Sequence, residues 1–552
     1  MPAAPALRAL LDNCVRHRVL LACALLLLAA GARVLESAHP LLANDSYQYL
    51  SVARNTLAGH LGETSLIQWD EDRSFGRIPA PMTNFPVGYP VLVSAVEWSG
   101  VPGEYAGLLV SLASMLLAIV MLDRLCARCG VTARVRGIAL LAFAGSAFTV
   151  HYAASVLSEP AFTMAVLGGL TLLIAACDAG AADRSGAQLL RAVLAGIALG
   201  LAYWLRYAGL FILLGILVCA PLALLAHSRR VAARLLLAGA AGLGVAALGM
   251  LRNQLLVGSW RGGNNKYAYH SYAQIAHDYA IALKDLLLSR VDFGGAVPAV
   301  LRLLIVAARL AALAATVWIR RRAPADRDRS AERAPGPASL LSVVLLTYLA
   351  CLVYAASRTV IDRDVRYLFP VYPELLALGA VLLERLLARL RDQRSRDRLV
   401  AAWALFAAVF AGAHLALALG GRETSRHDLI EAEFTRPLGE GASLRALIDS
   451  STGPGDVIMA NNGQAVGYLA ERKTVVLVGT ENSQLVWTEE AVQINARKYA
   501  VKLLVILGPQ LGPFRVDLPS PFVEQLAAGQ FPSWLRLVGA SDRIHVYRVA
   551  DG

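Results

Sequence analysis

A mainly α-helical, polytopic membrane fold of about eleven transmembrane helices, with a small extracytoplasmic α/β domain at its C-terminal end, is what the sequence predicts. Three observations predict it. Hydrophobic residues make up 57% of the 552 and charged residues only 17%, where soluble chains carry about 25% charged, so there are too few charges to coat a globule of this size. The apolar residues gather into runs close to the ~20 residues that cross a hydrocarbon core. The charge is sorted as well. The chain has a formal net charge of +12, yet from Arg422 onward 13 Lys/Arg face 15 Asp/Glu, so the excess lies in the short connections between apolar runs. A basic chain invites nucleic acid as a partner, but an excess of basic residues that sits mainly in short loops on one side of a membrane excludes it. A disordered chain and a compact cytosolic enzyme are excluded by the same composition.

The first span covers 19–35 and follows Arg8, Arg16 and Arg18; Arg33, Glu36, Ser37 and His39 offer no small-x-small cleavage site, so it reads as an uncleaved anchor. Further spans are expected at 105–122, 137–153, 160–177, 192–206, 208–226, 235–256, 298–319, 338–357, 368–388 and 399–420. With the N-terminus in the cytoplasm, one side collects Arg124, Arg128, Arg134 and Arg136, then Arg184 and Arg191, then Arg229, Arg230 and Arg234, then Arg320–Arg322 and the stretch from Arg389 to Arg398. An odd number of spans then puts the tail outside, in a bacterial inner membrane on the periplasmic side. The expected domains are 1–421 in the membrane, with external loops 36–104 and 258–297, and 422–552 outside it.

In the tail, the turn Gly453-Pro-Gly-Asp456 precedes a strand at Val457–Ala460 and a helical stretch to Glu471. Val475–Val478 and Leu503–Leu507 have strand length, a helical pattern surrounds Glu489–Tyr499, and the alternation in Arg543–Arg548 suggests an edge strand. Gly463-Gln-Ala-Val-Gly467 lacks the spacing and the lysine of a nucleotide loop. None of the seven cysteines lies in the tail, and Cys126-Ala-Arg-Cys129 has no second pair to complete a zinc site, so both of its thiols read as structural.

The residues that could carry chemistry cluster on the outer side. Asn44-Asp45-Ser46-x-x-Tyr49 follows the first span, and by residue type Asp45 reads as a helix cap, a role compatible with chemistry. The four prolines of 79–90 make a stiff return toward the membrane. Ser158-Glu159-Pro160 reads as a helix start with proline in the first turn. Arg206-Tyr207, Arg252-Asn253 and Arg366-Tyr367 stand at outer helix ends. Each arginine alone suits snorkelling to headgroups, whereas three on one face could assemble a pocket for a lipid phosphate, which guanidinium binds in bidentate fashion.

These motifs, with Phe85-Pro-x-Gly-Tyr-Pro90 and Val365-Arg366-Tyr367-Leu-x-Pro370, resemble in order and spacing the GT-C superfamily of integral-membrane glycosyltransferases, in particular bacterial relatives of the protein O-mannosyltransferases and the lipid A aminoarabinose transferases. The resemblance implies a polyprenyl-phosphate sugar donor, inversion at the anomeric carbon, Asp45 as the catalytic carboxylate and Glu159 as a second acidic residue. It also implies a paired acidic or metal-binding residue in the first loop, for which Asp70-Glu71-Asp72 offers no unique match, so a divalent metal stays a candidate cofactor with no assigned ligands. The chemistry fits the residue types independently. An acceptor hydroxyl attacking an anomeric carbon needs a proton acceptor, and a carboxylate takes the proton late, as the bond forms. The departing phosphate needs cations aimed at it; the candidates are Arg206, Arg252, Arg366 and Lys266. Tyr49, Tyr89, Trp69, Tyr267 and His270 are the candidates for holding the rest of the substrate, although aromatics at an interface also serve as belt residues. The acceptor would be an extracytoplasmic glycan, lipid or protein. Two other classes compete: a lipid-linked substrate transporter or flippase, which the surface location of the charges and the absence of an internal repeat disfavour, and a non-catalytic scaffold of an envelope polysaccharide complex, which would tolerate loss of Asp45.

Overall fold

Apolar periodicity becomes helix over most of the chain. The structure, a computed structural model, describes residues 13–67, 74–178, 185–262, 271–288, 336–358, 363–390, 392–420, 426–439, 441–477, 487–509 and 521–550. The expected span at 298–319 and the candidates Trp69, Lys266, Tyr267 and His270 lie outside these residues. In chain order the first part comprises α1 (Arg18–Ser37), α2 (Asn44–Leu57), β1 (Glu63–Thr64), β2 (Leu66–Ile67), β3 (Ala80–Pro81), α3 (Gly88–Glu97), α4 (Gly103–Arg128), α5 (Ala133–Ala144), α6 (Ala147–Ala153) and α7 (Glu159–Cys177). Then follow α8 (Ser185–Leu205), α9 (Gly209–Leu225), α10 (Arg229–Val257), α11 (Tyr272–Leu288), α12 (Pro337–Ala356), α13 (Val365–Leu368), α14 (Tyr372–Arg389) and α15 (Gln393–Gly420). The tail adds α16 (Arg426–Thr435), α17 (Leu444–Ser451), β4 (Val457–Ala460), α18 (Gly463–Ala470), β5 (Lys473–Val476), α19 (Glu489–Lys498), β6 (Val501–Leu507), α20 (Pro521–Ala527), β7 (Leu535–Ala540) and β8 (Ile544–Val549).

Among the described residues six helices, α1, α4, α7, α8, α10 and α12, are long and apolar enough to cross a membrane, or seven with the pair α5 and α6 counted as one span. That pair was expected to be one straight span over 137–153, and it is bent by 62°. The break falls at Gly145-Ser146, where α15 comes so close that a Cβ on Gly145 would lie 2.2 Å from the Cβ of Ala411. Large apolar side chains such as Leu28, Leu225 and Leu255 stay exposed on the bundle's outside, as lipid-facing residues do. At its centre α7 is buried along almost its whole length. It packs on α8, and α8 in turn meets α10 through Gly196 and Gly200. A Cβ at either glycine would press on a carbonyl of α10, at 2.3 Å from Ala238 and 2.6 Å from Gly242. Small residues of this kind let helix backbones approach in a medium where no hydrophobic drive separates helix from lipid.

Among the described residues β1 and β3 pair antiparallel in a two-stranded sheet, and the larger sheet has six strands in the order β2-β5-β4-β6-β8-β7. Strands β2, β5, β4 and β6 run parallel, and β8 is antiparallel to both β6 and β7. The Arg543–Arg548 strand expected at an edge is therefore internal, and the tail's edge is β7, whose Gly539 interrupts its pattern with a register shift. The opposite edge is not supplied by the tail. Leu66 and Ile67 of the first loop pair with Thr474 and Val475. Gly467, in the stretch that resembles no nucleotide loop, has a packing reason: a Cβ there would lie 2.2 Å from Thr474 Oγ1 and 2.7 Å from Leu66.

Helix α2 lies between bundle and sheet and is buried on every face from Ser46 to Ala53. Its polar side chains are satisfied by the loop that follows it. Gln48 donates to the Leu66 carbonyl at 3.0 Å and accepts from Thr64 at 2.9 Å, and Ser51 Oγ accepts from the Ser65 amide at 2.9 Å. Buried polar groups demand such partners, so α2 fixes the loop that completes the sheet.

Candidate active site

Helix α2 starts at Asn44, and its cap is made by Ser46, whose Oγ accepts from the Ala43 amide at 2.9 Å. Asp45 is therefore not the cap. It sits inside the first turn, where a carboxylate is favoured by the helix dipole, and reaches across to Arg366 Nη2 at 2.6 Å. Arg366 is presented by the short helix α13, whose N-cap Asp364 accepts from the Arg366 amide at 2.9 Å. Its Nε then donates to Glu159 Oε1, and the same oxygen receives Arg206 Nη1 at 2.7 Å. Two backbone bonds hold these segments together: the Leu41 amide donates to the Ala154 carbonyl at 3.0 Å and the Val156 amide to the Leu41 carbonyl at 3.1 Å. They tie the approach to α2 onto the approach to α7.

The result is a line of alternating charge, Asp45, Arg366, Glu159 and Arg206, drawn from four separate segments. Exposure differs between its halves. The Glu159 side chain is 0% exposed and Arg206 10%, whereas Asp45 is 15% and Arg366 20% exposed. The end that faces outward is thus the Asp45–Arg366 pair. Burial works against the charge of Arg366, but the Asp45 and Glu159 carboxylates outweigh it and hold its pKa well above the ordinary arginine range. Glu159 Oε2 is buried with no hydrogen-bond partner, an unmet acceptor beside two guanidiniums.

Pro160 stands in the first turn of α7 as expected, but the Ser158 hydroxyl makes no cap bond. It is taken up by the site, 3.2 Å from Arg206 Nη1 and 3.2 Å from Tyr49 OH. Tyr49 is buried with its ring edge-on to Tyr89 at 5.1 Å and to Phe85 at 5.8 Å. Burial, with the Asp45 carboxylate adding to it, pushes its phenol above the usual tyrosine range, so Tyr49 is a neutral hydroxyl at any ordinary pH.

No protein-family model matches the chain, and no curated protein matches it. Among solved structures the likeness runs from end to end. The crystal structure of ArnT from Cupriavidus metallidurans bound to undecaprenyl phosphate aligns over 96% of this chain and 97% of that one, with a TM-score of 0.59 at 13% identity. The apo state of the same protein aligns over 99% and 98%, with a TM-score of 0.53 at 14% identity. The arabinofuranosyltransferase AftD from Mycobacteria aligns over 97% of this chain and 42% of its own, with a TM-score of 0.50 at 16% identity. The chain has the GT-C fold.

Within the GT-C fold not every expected site residue converges. Arg252 stands apart from the four-residue line and grips the first loop, donating to the carbonyls of Met82 at 3.1 Å and Gly62 at 3.2 Å. Gly62 is in the left-handed region at φ 72°, and a Cβ there would lie 2.7 Å from Arg252 Nη2. Tyr89 is fully buried behind the site, bonded to the Gly107 carbonyl at 3.1 Å and to Ser111 at 2.9 Å. Tyr367, to which the motif reading gave no role, lies under the Arg206 guanidinium at 5.4 Å; the repeated Arg-Tyr dipeptide was the available signal. A cavity of about 300 Å³ lies at the far end of α7, lined by Cys177, Asp178 and Cys219. At ~1.5 Å per helical residue it is about 27 Å from Glu159, so it is no part of this site. Among the described residues one group of side chains, His39, His427 and Glu431, brings potential metal-ligating atoms together, and none of the four charged residues belongs to it.

Proposed function

We propose that this chain is a glycosyltransferase that takes a sugar from a polyprenyl-phosphate donor and passes it, with inversion, to an extracytoplasmic acceptor, a cell-envelope glycan, glycolipid or protein. The observation that carries the reading is the line of alternating charge whose Asp45–Arg366 end is its less buried half. The orientation rests on the basic residues at the other end of the bundle, among them Arg124, Arg128 and Arg134, which put that end in the bacterial cytoplasm and Asp45 at the outer face.

In the resting site the two guanidiniums are neutralised by two carboxylates. A phosphate entering from the lipid would compete for Arg366 and Arg206, whose planar forks match its oxygens. That exchange frees Asp45 from Arg366 at the moment the donor is in place. The acceptor oxygen then bonds to the anomeric carbon as the carbon–oxygen bond to phosphate breaks. The hydroxyl proton passes to Asp45, and the electron pair leaves on the phosphate, stabilised by the arginines. Glu159, fully buried and bonded to both guanidiniums, assists by holding them on one axis. The tail, 422–552, whose sheet the first loop completes through β2, would cover the entrance or select the acceptor. The motive is a cavity of about 150 Å³ between α2 and the sheet, lined in part by Arg54, Asn55, Tyr468, Arg472 and Lys473.

The test uses detergent-solubilised wild type and Asp45→Asn with radiolabelled polyprenyl-phosphate sugars and a crude envelope fraction as acceptor. Label transferred by wild type alone supports the reading. Equal transfer by both removes Asp45 as the base. No transfer from any intact donor by folded protein turns the reading toward a scaffold or a lipid-linked substrate transporter.

A further inference from the structure

Where α1 ends and the tail begins, two histidines meet. His39 lies in the connection between α1 and α2, and His427 is the second residue of α16; their rings are 4.7 Å apart and nearly perpendicular, at 73°. His39 Nδ1 is 2.8 Å from the Pro40 carbonyl oxygen. A carbonyl only accepts, so Nδ1 carries the proton and Nε2 is left to face the cluster, where Asp428 Oδ1 meets it. His427 Nδ1 is 3.0 Å from Tyr47 OH, and its Nε2 is 3.4 Å from Glu431 Oε2. One potential ligand atom each from His39, His427 and Glu431 lies within 4.8 Å of the others.

We propose that His39, His427 and Glu431 form a zinc-type divalent-metal site that clamps the α1–α2 connection to α16. The donor set is the first argument. Two imidazoles with carboxylate oxygens suit Zn²⁺ and are a poor match for Mg²⁺ or Ca²⁺, which take oxygen ligands. The second argument is orientation. A ligating histidine usually gives its other ring nitrogen to a carbonyl, carboxylate or water, which fixes its tautomer. Pro40 O and Tyr47 OH stand at those positions here. The third argument is access. The His427 side chain is only 5% exposed, while the Glu431 side chain, at 55%, forms an open flank through which an ion enters. Zinc–ligand bonds of ~2.0–2.2 Å require the ligand atoms to draw in by about 1 Å.

The site is separate from the transfer chemistry and does not depend on it. Its role is mechanical: it joins the segment just ahead of the Asp45 helix to the first helix of the tail, so the ion would fix how the tail sits over α2. Metal binding to residues that are not assembled in the unfolded chain is coupled to folding.

The experiment uses tag-free full-length protein in detergent, stripped with a chelator and titrated with Zn²⁺ against a chromophoric competitor, with elemental analysis of the dialysed product. One Zn²⁺ per chain and a higher Tm than the stripped protein are expected. Glu431→Gln, on an exposed helix face where folding is not at stake, should weaken binding at least tenfold, and His39→Asn with His427→Asn should abolish it. Tyr47→Phe should weaken it by about tenfold, the effect of removing an orienting partner. The proposal is overturned by wild type that retains no stoichiometric zinc, by an unchanged Tm, or by unaltered affinity in Glu431→Gln.

Discussion

Two ion-pair clusters sit at opposite ends of the bundle, and they are built differently. At the start of α1, Arg18 closes on Asp123 with both arms, at 2.7 and 3.0 Å, and Arg136 adds a third bond at 3.2 Å. Every bond goes to one carboxylate whose partners come from α1 and α5. At the Asp45 end no carboxylate is gripped in that fork-to-fork fashion. Arg366 divides its bonds between Asp45 and Glu159, and Glu159 divides one oxygen between two arginines while the other has no partner. A closed bidentate pair is a fastener. A shared, partly unmet line is arranged to be exchanged, because an incoming anion can replace one member without dismantling the rest.

Substitutions at the two ends separate in kind. The largest effect is expected at Asp45→Asn, which should lower transfer by about 10²–10⁴-fold, the range of a lost general base, with unchanged membrane level. A variant that keeps its rate would collapse the distinction. Next is Glu159→Gln, which leaves two guanidiniums short of a buried counter-charge; a loss of about 3 kcal/mol of stability is expected in a melt, as when one member of a buried pair is removed. Arg366→Lys keeps the charge and loses the fork. Donor KM should rise about tenfold, roughly 1.4 kcal/mol, with folding intact. The smallest effect belongs to the fastener. Asp123→Asn should cost about 1–2 kcal/mol of stability, as hydrogen bonds to charged groups do, with donor KM unmoved; a changed KM there would show that the two ends are coupled. The pH dependence follows the same division. The Arg366 pKa is raised by its carboxylates, so its contribution to stability is complete below the ordinary arginine value and fades only as pH rises through the higher folded one. Melts in alkaline buffers up to about pH 9 should therefore show no loss traceable to Arg366, which comparison with Arg366→Ala checks.

Much of this was legible in the linear sequence. Long apolar runs gave the six long helices, since nothing else keeps ~20 residues free of charge. Motif order gave Asp45, Glu159, Arg206 and Arg366, each beside a proline, tyrosine or cap that fixes a helix end. Arg252 looked identical to its companions, and only the folded loop, with Gly62 and Met82 turning their carbonyls toward it, separates it from them. The bend between α5 and α6 was hidden because its cause is a distant neighbour, Ala411, and not only the Gly-Ser pair. His39 and Asp428 are 389 positions apart, and no local pattern connects them. Strand β2 has two residues, too few for any alternation to be read.

That two-residue strand sets a timetable. Leu66 and Ile67 leave the ribosome about 400 residues before Thr474 and Val475, which at ~5–20 residues per second is a wait of roughly 20–80 s. During that interval the membrane helices are being inserted while the loop that follows the Asp45 helix lacks its strand partner β5. A nascent chain interrupted before residue 473 therefore holds all four charged residues of the site and an unfinished loop beside them. Completion of the loop is tied to completion of the protein.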